Sequence, residues 1–246
     1  MVTLVLACVS FIVVAFGLGL AWPGHPVVAG FAGMFGFLGT IIGVNLALRR
    51  RLEAVFKEVQ AHIEGTQDQL RRRITVMQNR NMTGGKALQK MLEKDQAESI
   101  QEAIALLDGV APLRKWLIMA ERQANTLRGQ LYYQIKDFQN AEACFAKSMV
   151  PTPDPLNLAM KMALMHRDGK FEPLEKAFKR GVRRFKDDKG ALLYGLYAWS
   201  LVKREKVGEA LAVLEEGKDK AEHPVLKENW EHLANGRVRQ IGRAHV

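Results

Sequence analysis

Charge is absent from the start of this chain. No Lys, Arg, Asp or Glu occurs among the first 48 of its 246 residues. A typical soluble domain carries about a quarter charged residues, so this stretch has no ordinary solvated surface. Met1 to Trp22 is one apolar run, Pro23-Gly24-His25-Pro26 a turn, and Val27 to Leu48 a second run. Each run is about 33 Å long as a helix, against about 30 Å for a bilayer core. The expectation is an integral-membrane helical hairpin over 1–48, with spans at about 1–22 and 27–48. The first run also lacks a basic leading region and an A-x-A-like cleavage site, so it reads as a retained span rather than a signal peptide.

Other absences narrow the chemistry. The only cysteines, Cys8 and Cys144, lie far apart in sequence, which argues against a disulfide framework or a cysteine-rich zinc site. No phosphate-binding Walker loop, GxSxG or HExxH is present. The histidines, at 25, 62, 166, 223, 232 and 245, are scattered without metal-ligand spacing. The sequence therefore offers no catalytic residue, no metal ligand and no cofactor site. No segment alternates with period two, so the expected class is all-α.

All 36 basic and 26 acidic residues lie behind the hairpin, and the net charge is +10. Such a balance suits an acidic partner. Lipid has the first claim, because Arg49, Arg50 and Arg51 stand at the membrane exit. The connecting turn carries no Lys or Arg, so the positive-inside rule sends the soluble part to the cytoplasm. The expected location is the inner (plasma) membrane, as a multi-pass protein. The run Lys179, Arg180, Arg183, Arg184 and Lys186 reads as a docking patch for an acidic group or as a solvated helix end. It lacks interleaved stacking aromatics apart from Phe185, which points away from nucleic acid.

The second span is rich in small residues. Gly39 and Gly43 form a GxxxG pair, and Ala29/Gly33 and Ala32/Gly36 are related pairs. Small residues let helices approach closely in lipid. Two readings stand: packing against the first span, and association of copies. From Arg49 to about Met82 an amphipathic or coiled-coil stalk is expected, with Leu52, Phe56, Val59, Ile63, Thr66, Leu70 and Met77 near heptad spacing. Its seam fits a self-associating stalk and equally an amphipathic helix packed on the soluble part or lying on the bilayer. Thr83-Gly84-Gly85 breaks the pattern, and Asp108-Gly109 to Pro112 reads as a further turn.

Behind these breaks, at 86–240, helical patterns recur near a period of 34. Gly129, Tyr132, Phe138, Ala141, Phe145 and Pro153 fall at the spacing of the tetratricopeptide repeat, and the stretch from about Arg122 to Pro155 resembles one unit of that family. A weaker unit follows at about 156–190, with Gly169, Phe171 and Phe178. A third, at about 191–223, carries Ala198, Leu201, Val207, Ala210, Leu214 and Gly217. The resemblance implies an α-solenoid whose groove binds segments of partner proteins. A two-span hairpin ahead of such repeats resembles membrane-anchored bacterial members, the HemY-like family among them.

The expected function is thus a membrane-anchored scaffold that binds a protein partner at the cytoplasmic face. The alternative is a structural protein that homo-oligomerises through span and stalk. Ile241 to Val246 reads as a translated sequencing-library adapter, so residues 241–246 are expected to be an artefact and the natural chain to be truncated after about Gln240.

Overall fold

The computed structural model describes residues 2–21, 26–79, 86–117, 119–152 and 154–237. Every regular element among them is helical. The expected turn at 23–25, the break at 83–85, Pro153 and the stretch 241–246 lie outside the described residues. The chain divides into two compact units, 1–135 and 136–246.

The first unit begins with α1 (Val2–Ala21) and α2 (Pro26–Asn79). No proline occurs between Val27 and Asn79, so nothing removes a backbone donor inside α2. Its 54 residues form one helix of about 81 Å. The helix is long and apolar enough to cross a membrane. The two helices run antiparallel and touch where Gly33 and Gly36 face α1. A Cβ on Gly33 would lie 2.9 Å from Ala15 Cβ, and one on Gly36 would lie 3.2 Å from Val14 Cγ2. Ser10 Oγ donates to the Gly36 carbonyl at 3.4 Å, while Ala7 and Ala29 are buried in the same interface.

Beyond Arg51 the character of α2 changes. α3 (Lys86–Leu106) doubles back along it. Arg73 pairs with Asp95 at 2.6 Å near one end, and His62 and Thr66 meet Ser99 further along. A 3-10 segment (Leu107–Lys115) then turns the chain, and Gly109 lies against Val55. α4 (Ala120–Gln134) runs back in the direction of α2. Leu52 packs with Val110, Leu113, Ala120 and Ala124, whereas Val59 packs with Ile100, Ala103, Leu107 and Leu131. The heptad-like seam is thus covered from within the chain at Leu52, Phe56, Val59 and Ile63.

The second unit contains α5 (Phe138–Ala146), α6 (Pro155–Arg167), α7 (Phe171–Arg184), α8 (Asp188–Lys203), α9 (Val207–Ala221) and α10 (Pro224–Ala234). Capping residues set several starts. The Asp137 carboxylate accepts from Asn140 N, and that of Asp154 from Asn157 N. Pro155 and Pro224 occupy the first turn of α6 and α10, where a missing N–H costs nothing. α8 touches α6, α7, α9 and α10. Its small residues Ala191, Gly195 and Ala198 are buried, as are Leu193 and Leu201.

One turn geometry recurs. Lys136, Gly169, Glu205 and Gly236 all have positive φ, at 63°, 70°, 63° and 72°. An apolar residue follows two positions later each time: Phe138, Phe171, Val207 and Val238. At the first three turns that residue opens the next helix. A left-handed conformation suits Gly and strains other L-residues. Glu205→Gly is therefore expected to keep or raise thermal stability, by up to about 1 kcal/mol, and Gly169→Val to lower it by about 1–2 kcal/mol. Circular dichroism melts of the full chain in detergent check both signs.

Candidate functional site

The residues picked from the repeat pattern mostly pack rather than line a cleft. Ala141, Ala198, Ala210 and Leu214 are fully buried, and Phe145 nearly so. Gly129 is buried on α4. Tyr132 is half-buried. Phe138 is half-buried too, under the Arg167 guanidinium at 4.9 Å. Gly39 and Gly43 face open space, unlike Gly33 and Gly36. Arg49, Arg50 and Arg51 are exposed in mid-helix on α2.

A cleft of about 750 Å³ lies within the second unit between α7, α8 and α9. Its floor is aromatic. Phe178 stacks on Tyr197 with centroids 4.2 Å apart, and its edge meets Tyr194 at 5.3 Å. α9 approaches the Tyr194 ring through Gly217, where a Cβ would sit 2.7 Å from Tyr194 Cγ. A small residue at 217 is therefore a steric requirement of the floor.

The rim is charged. Lys179 pairs with Glu175 at 2.6 Å, and Lys220 with Glu216 at 2.8 Å. Each lysine's hydrogen bond holds its carboxyl partner below the usual range. Arg183 and Lys186 also line the rim, are exposed, and have no ion-pair partner among the described residues. The Tyr194 hydroxyl donates to Glu216 at 3.2 Å. Burial, then the Glu216 charge, pushes its pKa up to about 12. Burial raises Tyr197 as well. A phenol is protonated near neutrality in any case, and that of Tyr194 directs its proton at Glu216. The cleft presents flat apolar rings and, at its rim, four cations and four carboxylates; Arg183, Lys186 and Asp187 are those without an ion-pair partner among the described residues, so apolar contact with a charged rim is what it offers a ligand.

A second cleft, about 590 Å³, lies between α2 and α3. Ser99 Oγ and Glu102 Oε2 approach His62 at 3.1 and 3.4 Å, a grouping that invites comparison with a catalytic triad. Both meet the same ring nitrogen, Nε2. A triad needs the carboxylate on the opposite nitrogen from the nucleophile, so this cluster tethers α3 to α2 instead. Thr66 extends the tether through Ser99 Oγ at 2.6 Å.

Two further polar features sit in the second unit. The Lys161 ammonium donates to Ser148 and Thr152 and lies 5.6 Å from the Phe145 ring, and burial lowers its pKa. His166 is bonded through Nδ1 to buried Ser200 at 2.8 Å and lies against Trp199. Burial, then Arg204 and Lys203, lowers its pKa.

Sequence reasoning named Phe178 and the Lys179–Arg183 face but not Tyr194 and Tyr197. The available signal was their three-residue spacing on one helix, which places both on one face. Comparison with protein-family models, curated proteins and solved structures gave no match.

The cleft makes a spectroscopic prediction. An unfolded tyrosine ionises at about 10, so between that pH and 12 the unfolded chain loses a proton that folded Tyr194 keeps. Stability is full below pH 10 and falls as pH rises through this window. Titration of phenolate absorbance should show a late-ionising group that Tyr194→Phe removes.

Proposed function

We propose that this protein is a membrane-anchored helical-repeat scaffold of tetratricopeptide type, holding a protein partner at the cytoplasmic face of the inner membrane. Helix α1 and the first half of α2 form the two spans. The second unit supplies the binding surface. The observation that carries the reading is the repeated turn at Lys136, Gly169, Glu205 and Gly236. It spaces the helical pairs at close to the interval of the sequence repeat, and α8 lies against its neighbours on both sides, as stacked repeats require. The aromatic cleft of α7, α8 and α9 is where a partner segment with apolar and charged side chains fits best.

The membrane half rests on exposed apolar surface. Ile12, Phe16, Phe35 and Ile42 are each more than 60% exposed. The apolar window of α2 is only 11% buried, with a mean hydropathy of 2.0. A core helix of a soluble protein hides such a face, whereas lipid covers this one. The arginines directly after Leu48 support the inward orientation.

Homo-oligomerisation is the second reading, and one observation favours it for the span alone. Gly39 and Gly43 have open space around them, room for a second copy of α2. The stalk seam offers less, since much of it is already covered.

Photo-crosslinkers at Val182 and Val213, both lining the cleft, and separately at Gly39, distinguish the readings in native membranes. A scaffold gives a discrete adduct with another protein, which the double variant Arg183→Glu/Lys186→Glu abolishes while helix content stays constant. A structural oligomer gives self-adducts at Gly39 and none in the cleft. Protease added to sealed vesicles should cut the second unit only where the cytoplasmic face is outward.

A further inference from the structure

A third cleft opens at the place where α2 changes from apolar to charged. It measures about 600 Å³ and lies wholly within the first unit, between α2, the chain after the 3-10 segment, and α4. Arg49, Glu53 and Asn45 line it from α2, Trp116 and Met119 from the segment that has doubled back, and Gln123 from α4. Apolar Leu52, Phe56 and Leu117 complete the wall.

Its place along α2 identifies what it meets. Counting the span as Val27–Leu48, about 33 Å of helix precedes Arg49. Arg49 then stands at the depth of lipid headgroups. α3 runs back toward the membrane exit, and the packing of Val110, Leu113 and Ala120 on Leu52 holds the corner there. Trp116 is half-buried and Met119 is 47% exposed, an aromatic and an apolar side chain at the interface, where such residues anchor proteins to bilayers. Below Asn45 the same face of α2 continues into the apolar span through Ile42 and Leu38, both exposed.

The lining itself holds one cation, Arg49, and one carboxylate, Glu53, while the sequence stretches that supply its walls are cation-rich. Cations outnumber carboxylates seven to three across residues 49–58 and 113–122. One of the three, Glu121, is paired with Arg114 at 3.3 Å. A cleft with an arginine flanked by cation-rich chain, polar amides, an aromatic wall and an apolar track along α2 matches a molecule with an anionic head and an acyl tail.

We propose that this cleft is a binding site for an anionic phospholipid. The Arg49 guanidinium pairs with the phosphate, Trp116 packs against the glycerol region, and an acyl chain follows α2 past Ile42 and Leu38. The inference rests on the reading of α2 as a membrane span. It adds a lipid-specific contact that ties the α3–α4 corner to the bilayer surface.

The test uses the full chain in detergent, titrated with dioleoyl phosphatidylglycerol or dioleoyl phosphatidylcholine, with bound lipid counted by native mass spectrometry. The expected result is preferential retention of phosphatidylglycerol. Arg49→Gln should weaken it about fivefold, the factor one cation contributes near an anionic surface. Trp116→Ala should weaken both lipids, Arg49→Lys should keep the preference, and Arg72→Gln, far along α2, should change nothing. Circular dichroism excludes unfolding, and Arg49→Lys keeps the test decisive if Arg49→Gln does not fold. Equal retention of the two lipids overturns the proposal. So does an unaltered Arg49→Gln, or displacement of phosphatidylglycerol by millimolar inorganic phosphate, which marks a free-anion site. Alkaline carbonate extraction separates the two layers. Protein that stays in the membrane but lacks lipid preference refutes the lipid site alone, and protein that is extracted refutes the span and the lipid site together.

Discussion

The structure depends on the continuity of α2. One unbroken helix carries an apolar half that packs on α1 and an amphipathic half that packs on α3 and α4. For the proposed span, backbone hydrogen bonding would enforce this in lipid, where an unpaired peptide group costs several kcal/mol. Glycine would weaken a helix in water by about 1 kcal/mol per residue, yet Gly30, Gly33, Gly36, Gly39 and Gly43 are all accommodated. At Gly33 and Gly36 the missing side chains admit α1. Since there is no joint between the halves, the direction of the apolar half sets the direction of the helices packed on the amphipathic half.

Past the arginines the same helix changes its source of stability. Dispersion and small-residue contacts give way to burial of Leu52, Val59, Ile100, Leu107 and Leu131. A polar tether of His62, Thr66 and Ser99, with the Arg73–Asp95 pair beyond it, fixes how α3 lies on α2. In the second unit α8 has the equivalent central place. Its small residues let four helices approach it, and Tyr194 and Tyr197 on another face become the floor of a cleft. Packing and the shape of the cleft are thus coupled, because Gly217 must stay small for Tyr194 to lie as it does.

Much of this was legible from residue order. The helical class follows from the absence of period-two alternation. The change in α2 follows from the abrupt charge at Arg49, and the seam through Leu52 and Val59 from its spacing. Gly169 marks its own turn. Lys136 and Glu205 adopt the same backbone without glycine, so half of the recurring turns carried no compositional sign. Small-residue spacing nominated Gly39 and Gly43 alongside Ala29, Gly33 and Gly36. Only the helix crossing selects between these faces, since spacing is local and crossing is not. The doubling-back of α3 was hidden for the same reason. His62 and Ser99 are 37 residues apart, and nothing in either neighbourhood names the other.

The central claim is that α2 passes from bilayer to cytoplasm at Leu48–Arg49 without a break. Single cysteines placed along residues 30–70, in a background of Cys8→Ser and Cys144→Ser, test it when probed with a membrane-impermeant maleimide on sealed vesicles. The account predicts no labelling through 46 and labelling from 50 onward, only with the cytoplasmic face outward. Within the labelled stretch, reactivity should dip with helical period at Leu52 and Val59. Labelling at 35 or 42 in intact vesicles, or labelling beyond 50 from the opposite face, would contradict it.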